Sequence, residues 1–203
     1  MRLLLRTALL LGLLGGLQTL QAGTNIVSME SLRPTQDHIR ATAIILDYMQ
    51  RYHYKRVALS DGLSEQIFDR YLAALDRQKS FFLASDVAEF EIMRHRFDDA
   101  LRFARLDPAF LIFKRFRARV QERSTFAISL LQEKFDFTRD EEYVFDRKDL
   151  GWAPDKASLD ELWRKRVKND ILGLRVAGRK EEQIKDTLSK RYDRMSRRVN
   201  QLR

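Results

Sequence analysis

LSDGLSEQIFDRYLAALDRQKSFFLASDVAEF, residues 59–90, carries the densest helix grammar and apolar mass in the chain. Leu63, Ile67, Phe68, Tyr71, Leu72 and Leu75 stand at offsets of 0, 4, 5, 8, 9 and 12. At about 100° per residue these positions gather on one broad helix face, which must be buried. Ser60 and Asp61 stand at its start, where a side-chain oxygen can accept from a free N–H of the first turn, a cap worth about 1 kcal/mol. The pattern stops after Asp76, and Phe81, Phe82 and Leu83 follow in a row. A short turn there sends consecutive large side chains in different directions, which requires a core around it. Ser85 then opens a second helix with Asp86 and Glu89 in its first turn, where negative charge meets the positive end of the helix dipole. The unit is two helices joined by an apolar corner.

Outward from this unit, the same spacing recurs. A first helix is expected from Thr35 to about Val57, with Ile39, Ala43, Leu46 and Met49 on one side and Pro34 ahead of it. Residues 23–33 read as an extended lead-in. The helix after the corner carries Phe90, Met93, Phe97 and Leu101 up to Asp107-Pro108, where Asp can cap and Pro suits the first helical position. A long helix to about Phe135 follows, with Phe110, Phe113, Val120, Ala127 and Leu131 at helical spacing and Phe116 and Phe126 widening the face. The stretch from Phe135 to Pro154, dense in aromatics and acids, reads as a packed loop. Ser158 and Glu161 form an S-x-x-E capping box for a helix that turns Leu159, Trp163, Val167, Ile171 and Leu174 inward and ends at Gly178. The last helix begins near Lys180 with the stripe Ile184, Leu188, Tyr192, Met195, Val199 and Leu202. With no stop signal after that stripe, its turns from Met195 onward are expected to be exposed or frayed. The fold class is all-α: one helical domain of about six helices with a packed aromatic loop, preceded by a signal peptide.

That signal is residues 1–22, with Arg2 and Arg6, an apolar run from about Ala8 to Leu17, and the small residue Ala22. An uncleaved anchor is the alternative, but Gly12, Gly15, Gly16 and Gln18 interrupt a run shorter than the ~20 apolar residues a spanning helix needs. Residues 23–203 then form the mature domain, and loss of the two Arg takes the net charge from +9 to +7. The chain has no Cys, so neither disulfides nor a lipid-bearing cysteine arise. With 44% hydrophobic and 33% charged residues it can bury a sizeable core beneath a charged surface.

The segment L-x-D-x-L-S-x-x-I-F-D-x-Y-L-x-x-L-D at Leu59–Asp76, followed by a turn and L-x-S-D-V-x-x-F at Leu83–Phe90, resembles the N-terminal domain of the periplasmic tail-specific, or carboxy-terminal processing, proteases of the S41 serine peptidases. RPTQDH at residues 33–38, LDPAF at 106–110, FDFTRDEEY at 135–143 and DELWRKRVKNDILGLRVAG at 160–178 extend the resemblance in order. Gly62 and Gly173 depart from its pattern. The resemblance implies a periplasmic multidomain endopeptidase in which this domain precedes a PDZ module and a Ser/Lys catalytic domain. It implies that the helical domain shapes substrate access and offers a docking surface for adaptor proteins. The family's catalytic Ser and Lys lie downstream of the matched segment, so none is carried onto this chain.

The residues themselves point the same way. His38, His53 and His95 show no H-x-x-x-H or H-E-x-x-H spacing, and neither a G-x-S-x-G elbow nor a phosphate-binding Gly loop occurs. The acids from Asp136 to Asp149 lie beside Arg139, Arg147 and Lys148, which favours capping and salt-bridging over paired-carboxylate catalysis. Ser189-Lys190 are adjacent on a helix, so their side chains diverge and cannot form a dyad. No catalytic, cofactor-binding or metal-ligating residue is expected. Arg164 to Arg203 hold most of the excess positive charge, alternating with acids such as Asp160, Asp170, Glu181, Asp186 and Asp193 at helical neighbour spacing. A solvated face is favoured over nucleic acid, with anionic lipid or an acidic protein partner also open. Two function classes stand: the helical scaffold and interaction part of a periplasmic protease, or a free-standing exported helical binding protein working through its basic C-terminal face.

Overall fold

The computed structural model describes residues 28–52 and 58–202, so the signal segment, the expected cleavage site and His53 lie outside the described residues. Helices are the regular structure of the described chain, with a single isolated parallel bridge, Leu83 with Ala153, in place of any sheet. Its helices are α1 (Gln36–Tyr52), α2 (Asp61–Asp76), α3 (Ala84–Phe90), α4 (Phe97–Arg102), α5 (Asp107–Leu130), α6 (Lys156–Val176) and α7 (Glu181–Asn200).

The helix α2 begins where its sequence says it should: Ser60 is the cap and its Oγ accepts from the Leu63 N–H. Phe68 and Leu72 are buried, with Ile67, Tyr71 and Leu75 packed at the edge of the same cluster. Around them sit Phe82, Phe90, Met93, Phe97, Ile112, Phe116 and Val120. A second apolar cluster lies further along α5, where Ala127, Leu130 and Leu131 meet Leu159, Trp163, Val167 and Ile171 of α6 and Ile184, Leu188 and Tyr192 of α7. Helix α5 is thus the spine shared by both clusters. The corner sends Phe82 into the first cluster and Leu83 into the second, while Phe81 packs against both.

Several expectations are corrected. The single helix expected after Ser85 is three pieces: α3, a 3-10 turn at Glu91–Met93, and α4. Its N-cap is Leu83, not Ser85. The break is tertiary in origin, because Ser64 Oγ donates to the Arg94 carbonyl (2.6 Å) and accepts from the Phe97 N–H (2.8 Å), tying the interruption to α2. Helix α5 stops at Leu130, so that Leu130 and Leu131 both bury. Helix α6 is capped by Asp155 and not by the Ser158/Glu161 box: Asp155 Oδ1 accepts from Ser158 N–H (2.8 Å), and Glu161 is engaged by Arg164.

The loop 135–154 is only partly packed. Phe135 and Phe137 lean on the second cluster and Trp152 on the first, but Phe145 is 69% exposed. In α1 no residue is buried, and Ala43 and Met49 of its expected inward face are exposed. The end of α7 departs from expectation in the opposite sense. Met195 and Val199 pack on the first cluster and Ser196 is buried. Asn200 Oδ1 accepts from Arg117 Nε (2.7 Å), leaving Leu202 as the exposed residue of the stripe.

Candidate functional site

The corner after α2 is held by one carboxylate. Asp76 accepts from the backbone N–H groups of Ser80 (2.9 Å), Phe81 (2.8 Å) and Phe82 (3.0 Å), donors that a tight apolar turn would otherwise strand. Burial pushes the Asp76 carboxyl above its ordinary value in spite of these three donors. From the other side Trp163 Nε1 donates to the Ser80 carbonyl (2.6 Å), and the Ala84 N–H donates to the Ala153 carbonyl (2.8 Å). The corner therefore locks α2, α6 and the end of the loop together. Lys79, at φ +49°, completes it by reaching the Leu150 carbonyl (2.5 Å).

Charged groups join the remaining elements. Asp86, its side chain almost fully buried, caps α3 by accepting from the Leu83 N–H and pairs with Arg115 and with Arg119 (2.8 Å) of α5. Burial alone would raise its pKa, but Arg119, the Leu83 N–H and Arg115 outweigh that and hold it below the usual carboxylate range. Arg123, also buried, reaches Asp160 of α6 and Glu122 (2.5 Å). Glu141 pins the loop to α6 by accepting from Arg164 (2.5 Å) and Lys168, and those two cations hold its carboxyl down to about 2. The Tyr192 hydroxyl donates to Asp170 (2.6 Å), and burial followed by that carboxylate raises its pKa.

The residues weighed from sequence fall into this scheme. Of the acidic stretch, Asp136 accepts from Thr138, Asp146 pairs with Lys148, and Glu141 finds its partners on α6 and not in the loop. His38 packs edge-on against Phe110 and shares a hydrogen bond with Thr35, while His95 stands 3.5 Å from Glu65. Among the described residues no three His, Asp or Glu side chains gather as metal ligands, and no helix is long and apolar enough to cross a membrane. Lys190 is drawn to Asp186 (2.8 Å), away from Ser189. Sequence reading missed the ladder Arg115, Arg119, Arg123. Its i, i+4 spacing on α5, with Glu122 beside it, was the available signal, but its distant partners, Asp86 of α3 and Asp160 of α6, are disclosed by no local pattern.

Among the described residues, two exposed surfaces bear on docking. The outer side of α1 presents Ile44 (69% exposed), Ile45, Tyr48, Met49 and Tyr52 (68%). The C-terminal half of α7 presents Lys190, Arg191, Arg194, Arg197 and Arg198 around a shallow depression of about 920 Å³ floored by Met195 and Val199. Much of the remaining basic surface is neutralised in place, with Arg175 on Glu181 (3.0 Å) and Arg164 on Glu161 and Glu141.

The fold is a single all-α helical domain in which the titratable groups described above serve caps, corners and ion pairs. Its sequence matches the family described as Tail specific protease N-terminal domain over residues 45–203. It is also 37% identical over 150 residues to the tail-specific protease of Haemophilus influenzae, an alignment covering 73% of this chain and 22% of that relative. The chain therefore belongs to the tail-specific protease N-terminal domain family, and it spans about a fifth of the length of the curated relative it matches.

Proposed function

We propose that this chain is the non-catalytic helical scaffold of a periplasmic C-terminal-processing endopeptidase of the S41 type, exported by residues 1–22, and that it shapes substrate access and docks adaptor proteins. One observation supports the role most directly. The domain is internally fixed by its corner and ion-pair frame, yet it leaves a five-residue apolar face on α1 and a basic face on α7 open to other protein surfaces. Three groups of the kind that acyl-transfer chemistry uses are engaged in structural contacts: Lys190 with Asp186, Asp76 with the corner, and Glu141 with α6.

The purified chain should leave an unfolded protein with an apolar C-terminus intact. Hydrolysis that copurifies with the chain and survives Ser189→Ala and Lys190→Ala would refute the assignment. Intact mass of the exported protein should show a start at or near Gly23. Retention of residues 1–22 in a membrane fraction would refute the export reading.

A further inference from the structure

The C-terminal half of α7 is built unlike the rest of the charged surface. Lys190, Arg194 and Arg198 form an i, i+4, i+8 ladder of like charge, an arrangement that destabilises a helix by a few tenths of a kcal/mol per pair unless anions neutralise it. Neighbouring acids answer only part of it. Lys190 pairs with Asp186, Arg191 with Asp170 (3.3 Å) and Arg197 with Asp193, whereas among the described residues Arg194 and Arg198 form no ion pair. Arg194 only touches the Lys190 carbonyl of its own helix (3.2 Å).

The ladder is also rigid. Ile184, Leu188, Tyr192 and Ser196 fasten the opposite side of α7 to the core, and Asn200 holds Arg117, so the cations stand on a fixed backbone. Beside them Met195 and Val199 are half-buried and recessed, forming the floor of the depression. A bilayer-binding helix needs the reverse relief, with apolar side chains projecting beyond the cations. A recessed apolar floor beside an exposed basic ladder instead accepts a side chain inserted from outside, and Met adapts its shape to such a guest.

We infer that this face binds an acidic amphipathic helix of a protein partner, its carboxylates repeating every fourth residue along Lys190, Arg194 and Arg198 and one apolar side chain seated on Met195 and Val199. Four residues of helix rise about 6 Å, so a partner helix carries charges at the same repeat as the ladder. Electrostatic matching of this kind sets partner choice and association rate more than final affinity. This inference rests on the docking role proposed above and names the chemistry of the docked partner.

The test uses the full chain and a fluorescent synthetic helical peptide with Glu at every fourth position and Leu between, alongside its Glu→Gln counterpart. The Glu peptide should bind, the Gln peptide should bind at least about tenfold more weakly, and added salt should erase the difference. Arg194→Glu with Arg198→Glu should cost at least about tenfold in binding while leaving the melting curve unchanged, because both side chains lie outside the ion-pair frame. Equal binding of the two peptides, indifference to the charge reversal, or charge-dependent capture of phosphatidylglycerol vesicles in place of the peptide would overturn the inference. If the peptide fails to bind while the chain still supports proteolysis when grafted onto a relative's protease part, the partner chemistry falls and the scaffold role stands.

Discussion

Truncating Asp76 to Ala should unfasten the corner on which both apolar clusters depend. Three buried or half-buried N–H groups, those of Ser80, Phe81 and Phe82, lose their acceptor at once. A stranded buried donor costs about 1–3 kcal/mol, so the ceiling is about 9 kcal/mol. Two effects lower it. Phe81 is half-buried, so its N–H can regain water. Removal of the side chain also relieves the burial cost that raises the Asp76 pKa. The expected loss is about 3–5 kcal/mol, a large share of the about 5–15 kcal/mol that holds a domain folded. Asp76→Asn keeps one acceptor oxygen and discards the buried charge, so it should cost about 1–2 kcal/mol. Ser80→Ala removes only a marginal 3.5 Å contact to Asp76 and should be nearly neutral. Urea denaturation followed by circular dichroism would measure all three. A loss below about 1 kcal/mol for Asp76→Ala, or a loss for Ser80→Ala as large as for Asp76→Ala, would refute the reasoning.

Phe68→Ala should cost about 3–5 kcal/mol in the same assay, because the ring is fully buried among Phe97, Leu72 and their neighbours. The stability advantage of the wild type over Glu141→Gln should be complete above the ordinary value of 4.5 and should close as pH falls toward about 2, since the Glu141 carboxyl is held down in the folded state. Denaturation midpoints for both proteins across that range would show the gap closing, and a gap independent of pH would refute the pinning of the loop. Gly178, at φ +76°, has open space around it, so Gly178→Ala should cost about 1 kcal/mol through backbone strain alone, whereas Ala104→Gly, at φ +49°, should gain a few tenths to about 1 kcal/mol. Thermal melts of these two variants should shift in opposite directions.

The corner and the helices around it were legible because local chemistry and apolar spacing agree there. Ser60 caps α2 where its side chain predicts, Phe68 and Leu72 are buried, and Phe81, Phe82 and Leu83 diverge into two clusters as their adjacency requires. Sequence failed where the deciding contact is distant. Ser64 breaks the helix after Phe90 from another element, and Asp155 captures the start of α6 ahead of an equally plausible Ser158. Apolar periodicity also states which face seeks cover without naming what covers it. On α1 that face is only partly covered, with Ile39 and Leu46 half-buried and Ala43 and Met49 exposed, while at the end of α7 Met195 and Val199 find the first cluster. The ion-pair frame was half legible: Arg115, Arg119 and Arg123 stand in plain i, i+4 order, but Asp86 and Asp160 meet them only in the folded chain.

The scaffold role is tested most directly by a graft in which this chain's residues 45–203 replace the aligned segment of the Haemophilus influenzae tail-specific protease. The measured quantity is kcat/KM on a reporter protein with an apolar C-terminus, compared among the parent, a version lacking the segment, and the graft. A fixed, non-catalytic domain that shapes access predicts loss of processing on deletion and its recovery in the graft, with recovery abolished by Asp76→Ala. Full processing by the version lacking the segment would contradict the account.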